Sequence, residues 1–250
     1  MRLAATVMLV RPAGARFEVF MLRRSHSSHF VPAAYVFPGG TVSETDLSER
    51  ALARMRISPN DIDAQFRARA APGSTVPLAS NREAAGLLFA ALRELLEEAG
   101  VLLARDVRGE AIAAGAPESR ANFLELLETR DLYADARALT FFSQWLTPAQ
   151  FPDRYNTHFF LARTLPDAVA AADTHETHDG LWISPADALA RNAAGELHLV
   201  YPTIKHLQRL AAFANVDDLL EFARTKPILA LTPDTVENGF ALPAALEDAW

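Results

Sequence analysis

The string Arg93-Glu94-Leu95-Leu96-Glu97-Glu98-Ala99-Gly100-Val101 holds the densest chemistry in the chain. Glu94, Glu97 and Glu98 stand at i, i+3 and i+4, positions that share one face of an α-helix. Three carboxylates so close repel one another unless a cation sits among them, and hard oxygen donors on one face suit Mg2+ or Mn2+. Arg93 precedes Glu97 by four residues, so its guanidinium can hold that carboxylate in orientation. On the helical wheel Glu98 falls in the sector of Leu87 and Ala91, beside the apolar stripe. Its carboxylate should therefore meet the sheet or the loop before the helix, not open water. A solvated acidic face would explain Glu-x-x-Glu-Glu taken alone. The complete string, with Arg, Gly and aliphatic residues in register, arises by chance at roughly 10⁻⁶ per start, or about 3 × 10⁻⁴ over a chain of this length, which favours a built site.

The elements that must position this string are legible around it. A helix is predicted from about Arg82 to Ala99, with Ser80 and Glu83 at capping-box spacing before it and Gly100 where a C′ glycine belongs. Leu87, Leu88, Ala91, Leu92, Leu95 and Ala99 mark its buried stripe. Leu3–Val10 and Phe17–Leu22 read as two strands joined by a turn, and Pro38-Gly39-Gly40 breaks the chain sharply. Residues from about 46 to 81 read as an insertion with short helices near Leu47–Met55 and Pro59–Ala70 and a loop from Ala71 to Pro77. Further on, a helix is predicted near Glu118–Thr129. Strands are predicted at Leu139–Trp145, Thr157–Ala162 and Gly180–Ile183, and helices at Pro185–Asn192, Pro202–Ala214 and Asp217–Arg224. The residues after Pro227 carry no clear period. Strands and helices mix without strict alternation, which points to an α+β fold with a mixed sheet.

The 250 residues suit one large domain, and with half of them hydrophobic the chain can bury a real core. No apolar run of about 18 residues is present, so no transmembrane helix is expected. The absence of cysteine removes disulfides, thiolate metal sites and cysteine nucleophiles, and fits a cytoplasmic protein. A formal net charge of −7 and no dense basic cluster argue against a nucleic-acid partner. An acidic protein that acts on a phosphorylated small molecule needs a cation to offset repulsion.

Taken together, these residues resemble the Nudix hydrolase superfamily, whose signature runs Gly, five residues, Glu, seven residues, then Arg-Glu-aliphatic-x-Glu-Glu-x-Gly-aliphatic. The second half matches from Arg93 to Val101, and Phe37-Pro38-Gly39-Gly40 is similar to the first half. Gly40 and Arg93 lie 53 positions apart where the signature has 14, so about 39 residues are inserted. Counting forward from Gly40 puts the mid-signature glutamate at Asp46; counting back from Arg93 puts it at Ala85, and neither is given a role. The split resembles the peroxisomal coenzyme A diphosphatase branch. The lead-in Met21-Leu22-Arg23-Arg24-Ser25 is in that branch's register, with His29 in place of its arginine and Ala33 in place of its glycine.

The resemblance implies a Nudix α/β/α sandwich with a mixed sheet, a helical insertion and C-terminal helices. It implies a Nudix domain over 1–200 and a helical extension over 201–250 packed on it. The implied activity is metal-dependent hydrolysis of a phosphoanhydride bond in a nucleoside diphosphate linked to another group, with coenzyme A or acyl-coenzyme A as candidates. ADP-ribose, NADH or another nucleotide derivative is the alternative, as is a non-catalytic nucleotide-binding module. Glu94, Glu97 and Glu98, with Gly40, would hold Mg2+ or Mn2+. Arg93 would orient them, and Glu94 or Glu176 would take the proton. Gly39, Gly40, Arg23, Arg24 and His29 would meet the substrate. The partner is a small molecule, with no membrane and with a homodimer allowed.

Two other constellations read as ordinary. Asp173, His175, Glu176, His178 and Asp179 crowd one stretch, but zinc would need further ligands that nothing nearby supplies, so a polar loop is preferred, Glu176 excepted. Ser25, Ser27 and Ser28 with His26 and His29 lack an orienting acid and a strained Gly-x-Ser-x-Gly turn. Tyr201, Phe213 and Phe222 read as core.

Overall fold

A computed structural model describes residues 1–25, 33–71, 79–114, 122–164, 177–237, 239–247 and 250. The first strand, β1 (Arg2–Ala13), is buried on both faces. Ala5, Val7 and Leu9 point into one apolar cluster, and Met8 and Val10 into a second. Such a near-continuous apolar run is what a central strand requires. β1 pairs antiparallel with β2 (Arg16–Arg24) along Val10–Ala13, and with β4 (Gly39–Thr41) along Ala4–Thr6. The two-residue β3 (Tyr35–Val36) pairs with β2. On its other side β1 runs parallel to β9 (Tyr155–Arg163), which pairs antiparallel with β8 (Leu139–Leu146). With β10 (Thr177–Ile183) at one edge and β11 (Ala230–Leu231) at the other, the mixed sheet has the order β10-β2-β1-β9-β8-β11. A bulge between Phe141 and Ser143 puts the consecutive Phe142 and Ser143 on the same side, Phe142 in the second cluster and Ser143 bonded to His206 beside it.

Helix α3 (Asn81–Ala99) covers one face of the sheet. Its ends behave as the sequence predicts: Ser80 and Glu83 form a capping box, and Gly100 closes the helix at φ 65°. The insertion packs on the same face through α1 (Glu49–Ala53) and α2 (Pro59–Ile62). Where the sequence suggests one helix to Ala70, α2 gives way to a π-helical turn over Asp63–Arg67. Gly86 makes room for the insertion, since a Cβ there would lie 2.4 Å from Leu47 Cδ2. α5 (Pro185–Ala193), α6 (Tyr201–Ala211) and α7 (Val216–Thr225) form the layer against the other face. Among the described residues, no helix is long and apolar enough to cross a membrane.

Two parts lack a clear pattern in the sequence. After α3 comes a small sheet of β5 (Leu102–Arg105), β6 (Ala111–Ala114) and β7 (Tyr133–Ala134), with α4 (Phe123–Thr129) between β6 and β7. Beyond α7 the tail adds β11, the hairpin β12 (Asp234–Val236) and β13 (Gly239–Ala241), and Trp250, which is 2% exposed. Trp250 lies edge-on to Trp145 and His206. His206 Nδ1–H donates to Pro202 O and its Nε2 accepts from Ser143, so the buried ring is neutral; burial pushes its pKa down to about 3. Lys226 is also buried, its ammonium donating to Phe142 O at 2.6 Å; burial first, then Arg69 and Arg209, push its pKa down to about 7.

The insertion and the tail are joined. Ala70 bridges Ile228 in strand-like fashion, with Ala71 N–H donating to Ile228 O at 2.9 Å. The Arg69 guanidinium donates to Phe141 O, Ala223 O and Lys226 O, so it meets the carbonyls left open at the end of α7. Phe66 stacks on Phe141 with ring centroids 4.8 Å apart.

Candidate active site

Gly39 and Gly40 lie in β4, between β1 and helix α3, and neither could carry a side chain there. A Cβ on Gly39 would lie 2.5 Å from Ala5 O and 2.7 Å from Thr6 Cα. A Cβ on Gly40 would lie 2.2 Å from Glu94 Oε1. The missing side chain at Gly40 lets Glu94 of α3 reach the strand, and that at Gly39 lets β4 close on β1. Glu98 accepts from the Gly39 N–H at 2.8 Å, as its place beside the apolar stripe suggests, and Glu94 lies against Gly40.

Arg93 binds the cluster together. Its Nη1 donates to Glu94 Oε1 and to Glu97 Oε2, each at 2.8 Å, and the second bond is the i, i+4 pairing read from the sequence. Its Nε and Nη2 form a fork on Asp46 at 2.8 and 3.0 Å. Asp46 is fully buried and also accepts from the Ser43 N–H and hydroxyl. The mid-signature position counted forward from Gly40 is therefore filled, and its occupant holds Arg93. Nothing local in the sequence marks Asp46, because the inserted residues separate it from Arg93.

The electrostatics follow from this packing. Burial alone would lower the pKa of the Arg93 guanidinium, but Asp46, Glu94 and Glu97 carry it above its ordinary value. For Glu94 burial dominates over the attraction of Arg93 and holds the carboxyl above the usual carboxylate range. Its side chain is 13% exposed, whereas that of Glu97 is 38% exposed. An opening of about 300 Å3, lined by Thr41, Ser43, Thr45, Arg93, Glu94 and Asn122 among others, leads from solvent to Glu94.

Among the described residues, no three acidic or histidine side chains converge into a ready cation cage. Arg93 lies between Glu94 and Glu97 and donates to both. The donor chemistry nevertheless suits a hard divalent cation, because every side-chain donor of the trio is a carboxylate oxygen. Arg93 takes one oxygen from each of Glu94 and Glu97, leaving the second oxygen of each outside that clamp.

Arg23 and Arg24 end β2, opposite Tyr35 of β3 on one side and His178 and Thr177 of β10 on the other. His29 and Glu176 lie outside the described residues, as does most of the Asp173–Asp179 stretch. Ala33, which stands where the resembled lead-in has glycine, has φ 61°. A residue without Cβ suits that conformation best.

The chain is similar to known proteins over most of its length. Residues 1–210 match the family described as the NUDT19 Nudix domain. The acyl-coenzyme A diphosphatase NUDT19 of Gallus gallus is 31% identical over 274 residues, covering 91% of this chain and 72% of that protein. Its Homo sapiens counterpart is 29% identical, with 89% and 70% covered. The crystal structure of a NUDIX hydrolase from Alicyclobacillus acidocaldarius superposes with a TM-score of 0.70 at 28% identity, covering 91% of this chain and 97% of the other.

Proposed function

We propose, because the chain belongs to the NUDT19 Nudix domain family, that it hydrolyses the phosphoanhydride bond of coenzyme A or an acyl-coenzyme A. Two phosphorylated products leave. The observation that carries the reading is the Gly39–Gly40 backbone with Glu98 bonded to one glycine and Glu94 pressed against the other. Acidic oxygens are gathered there against the strand backbone, which is what the counter-cation of a diphosphate needs.

Glu94, Glu97 and Glu98, with the Gly40 carbonyl, are the groups that would hold Mg2+ or Mn2+. Such a cation, when bound, supplies neutralisation of phosphate charge and a lowered pKa for water. The remaining work belongs to the chain. Gly39 and Gly40 let β1 and Glu94 close on the strand, which sets the carboxylates beside the backbone that the diphosphate would meet. Arg93, anchored on Asp46, keeps the Glu94 and Glu97 carboxylates in orientation, so little reorganisation is left for the transition state. A Glu94 oxygen takes the proton of the water that attacks phosphorus, with Glu176 as the other candidate base. Arg23, Arg24 and His29 meet the phosphates remote from the cleaved bond, where guanidinium groups form the better forks.

The test is a panel of coenzyme A, an acyl-coenzyme A, ADP-ribose and NADH, each with Mg2+ and with Mn2+, the products resolved by chromatography. Coenzyme A substrates should be cleaved fastest, and Glu97→Gln should lose about 100-fold or more with its circular dichroism unchanged. Tight binding without cleavage of any substrate would refute the reading.

A further inference from the structure

A second pocket lies at the edge of the insertion, apart from the signature residues. It has a volume of about 190 Å3 and sits between the α1–α2 link (Met55, Arg56, Ile57) and the small sheet β6-β5-β7. Three arginines line it: Arg56, Arg105 and Arg137. None of its lining residues belongs to the signature or to the Gly39–Gly40 backbone.

Arg56 adopts φ 45°, a conformation that costs a residue with a bulky side chain of order 1–3 kcal/mol and persists only where its surroundings hold it. The strained backbone brings its guanidinium to 3.5 Å from the centroid of the Tyr133 ring, with one N–H bonded to Val107 O. Arg54 also approaches Tyr133, at 5.3 Å. The Tyr133 ring is thus engaged by arginine and holds Arg56 against the pocket wall.

The two carboxylates of the lining are committed. Asp106 Oδ1 accepts the backbone N–H groups of Arg108 and Glu110. Asp135 is buried and paired with Arg105, its Oδ1 2.8 Å from Arg105 Nε. Arg105 otherwise donates to Gly109 O. Arg137 is exposed, with Asp61 close enough to feel its charge. The lining itself holds three guanidinium groups and two carboxylates, with Asp61 and Glu110 near enough to act on Arg137 and Arg105, in a chain whose net charge is −7. Two planar forks, Arg56 and Arg137, are left to bind an oxyanion.

We propose that this pocket is a phosphate-binding site, recognising a tetrahedral phosphate or phosphomonoester through Arg56, Arg137 and the outer edge of Arg105. Free inorganic phosphate and the phosphomonoester of a nucleotide offer the same chemistry to it. The site does not depend on the activity at Glu94, Glu97 and Glu98. The experiment is calorimetric titration of the full chain with inorganic phosphate and, separately, with adenosine 3′,5′-bisphosphate. EDTA is present so that a cation at the carboxylates cannot contribute, and ionic strength is held constant with chloride. Arg56→Ala and Arg137→Ala should each weaken phosphate binding at least about 10-fold, while Glu97→Gln binds as the unaltered chain does. Stronger binding of the bisphosphate, lost in the same two variants, would assign the site to the nucleotide; equal binding would assign it to free phosphate. Arg137 is exposed, so Arg137→Ala keeps the proposal testable if Arg56→Ala disturbs the fold. No phosphate binding by the unaltered chain, or undiminished binding by Arg137→Ala, would overturn the proposal.

Discussion

Gly40→Ala separates the chemistry from the fold. Its Cβ would lie 2.2 Å from Glu94 Oε1 and 2.6 Å from Glu94 Cδ. An ordinary carbon–oxygen contact is about 3.3 Å, so the carboxylate must retreat by roughly 1 Å. The obstacle is the end of a side chain, and it can swing, at the expense of its 2.8 Å bond to Arg93. A displacement of that size in a reacting group costs about 100-fold in rate, equivalent to ~2.7 kcal/mol of barrier. Stability should fall by less than the 1–3 kcal/mol typical of overpacking, about, because no backbone has to move. Gly39→Ala is the contrast. Its Cβ meets Ala5 O at 2.5 Å and Thr6 Cα at 2.7 Å, both backbone atoms of the central strand. That clash should reach roughly the upper part of the same range and lower Tm by about 2–4 °C per kcal/mol. The assay pairs kcat/KM for coenzyme A cleavage with thermal melts followed by circular dichroism. Full activity in Gly40→Ala, or equal destabilisation by the two substitutions, would refute the argument.

Other outcomes follow from neighbouring residues. Asp46→Ala leaves the Arg93 guanidinium without its buried fork and should destabilise the chain by about 3 kcal/mol in urea unfolding; a loss under about 1 kcal/mol would show that Glu94 and Glu97 hold Arg93 alone. Ala33→Gly relieves a positive φ and should raise stability by roughly 1 kcal/mol, or about 2–4 °C in Tm; an unchanged or lower Tm counts against the strain. Lys226, with its pKa lowered from an ordinary 10.5 to about 7, binds its proton less readily in the folded chain than in the unfolded one. Between those values the unfolded state carries more protons, so this residue makes stability rise as pH climbs from about 7 toward 10.5. Lys226→Met should flatten that rise in pH-dependent denaturation; an identical slope would mean the ammonium is not penalised.

Helix α3 is legible because its signals are local. Ser80 with Glu83, Gly100 and the spacing of the leucines lie within one stretch, and each was matched by a cap, a positive φ or a buried position. The placement of Glu98 followed from the wheel alone, since the stripe it borders is the one that faces the sheet. Asp46 was not legible, because its meaning depends on a partner 47 residues away across the insertion. The small sheet was missed for a different reason. Leu102–Arg105 and Ala111–Ala114 are four residues each, and Tyr133–Ala134 is two, too short to show a period of two. The tail escapes reading likewise: Lys226, Ile228 and Trp250 are placed by contacts with Phe142, Arg69 and Trp145, not by pattern.

The inserted stretch leaves and rejoins the molecule at the same helix. Asp46 is clamped to Arg93, Leu47 fills the notch at Gly86, and Ser80 caps the start of α3. With both ends pinned close together, the entropy of closing the intervening chain grows only as the logarithm of its length, about 0.6 kcal/mol for each doubling. Lengthening this excursion at its surface thus costs the scaffold little, provided Asp46 and Ser80, the buried Ala51, Met55, Ile62 and Phe66 and the contacts of Arg69 keep their places, and new surface can be added beside α3 without resetting the geometry of its carboxylates.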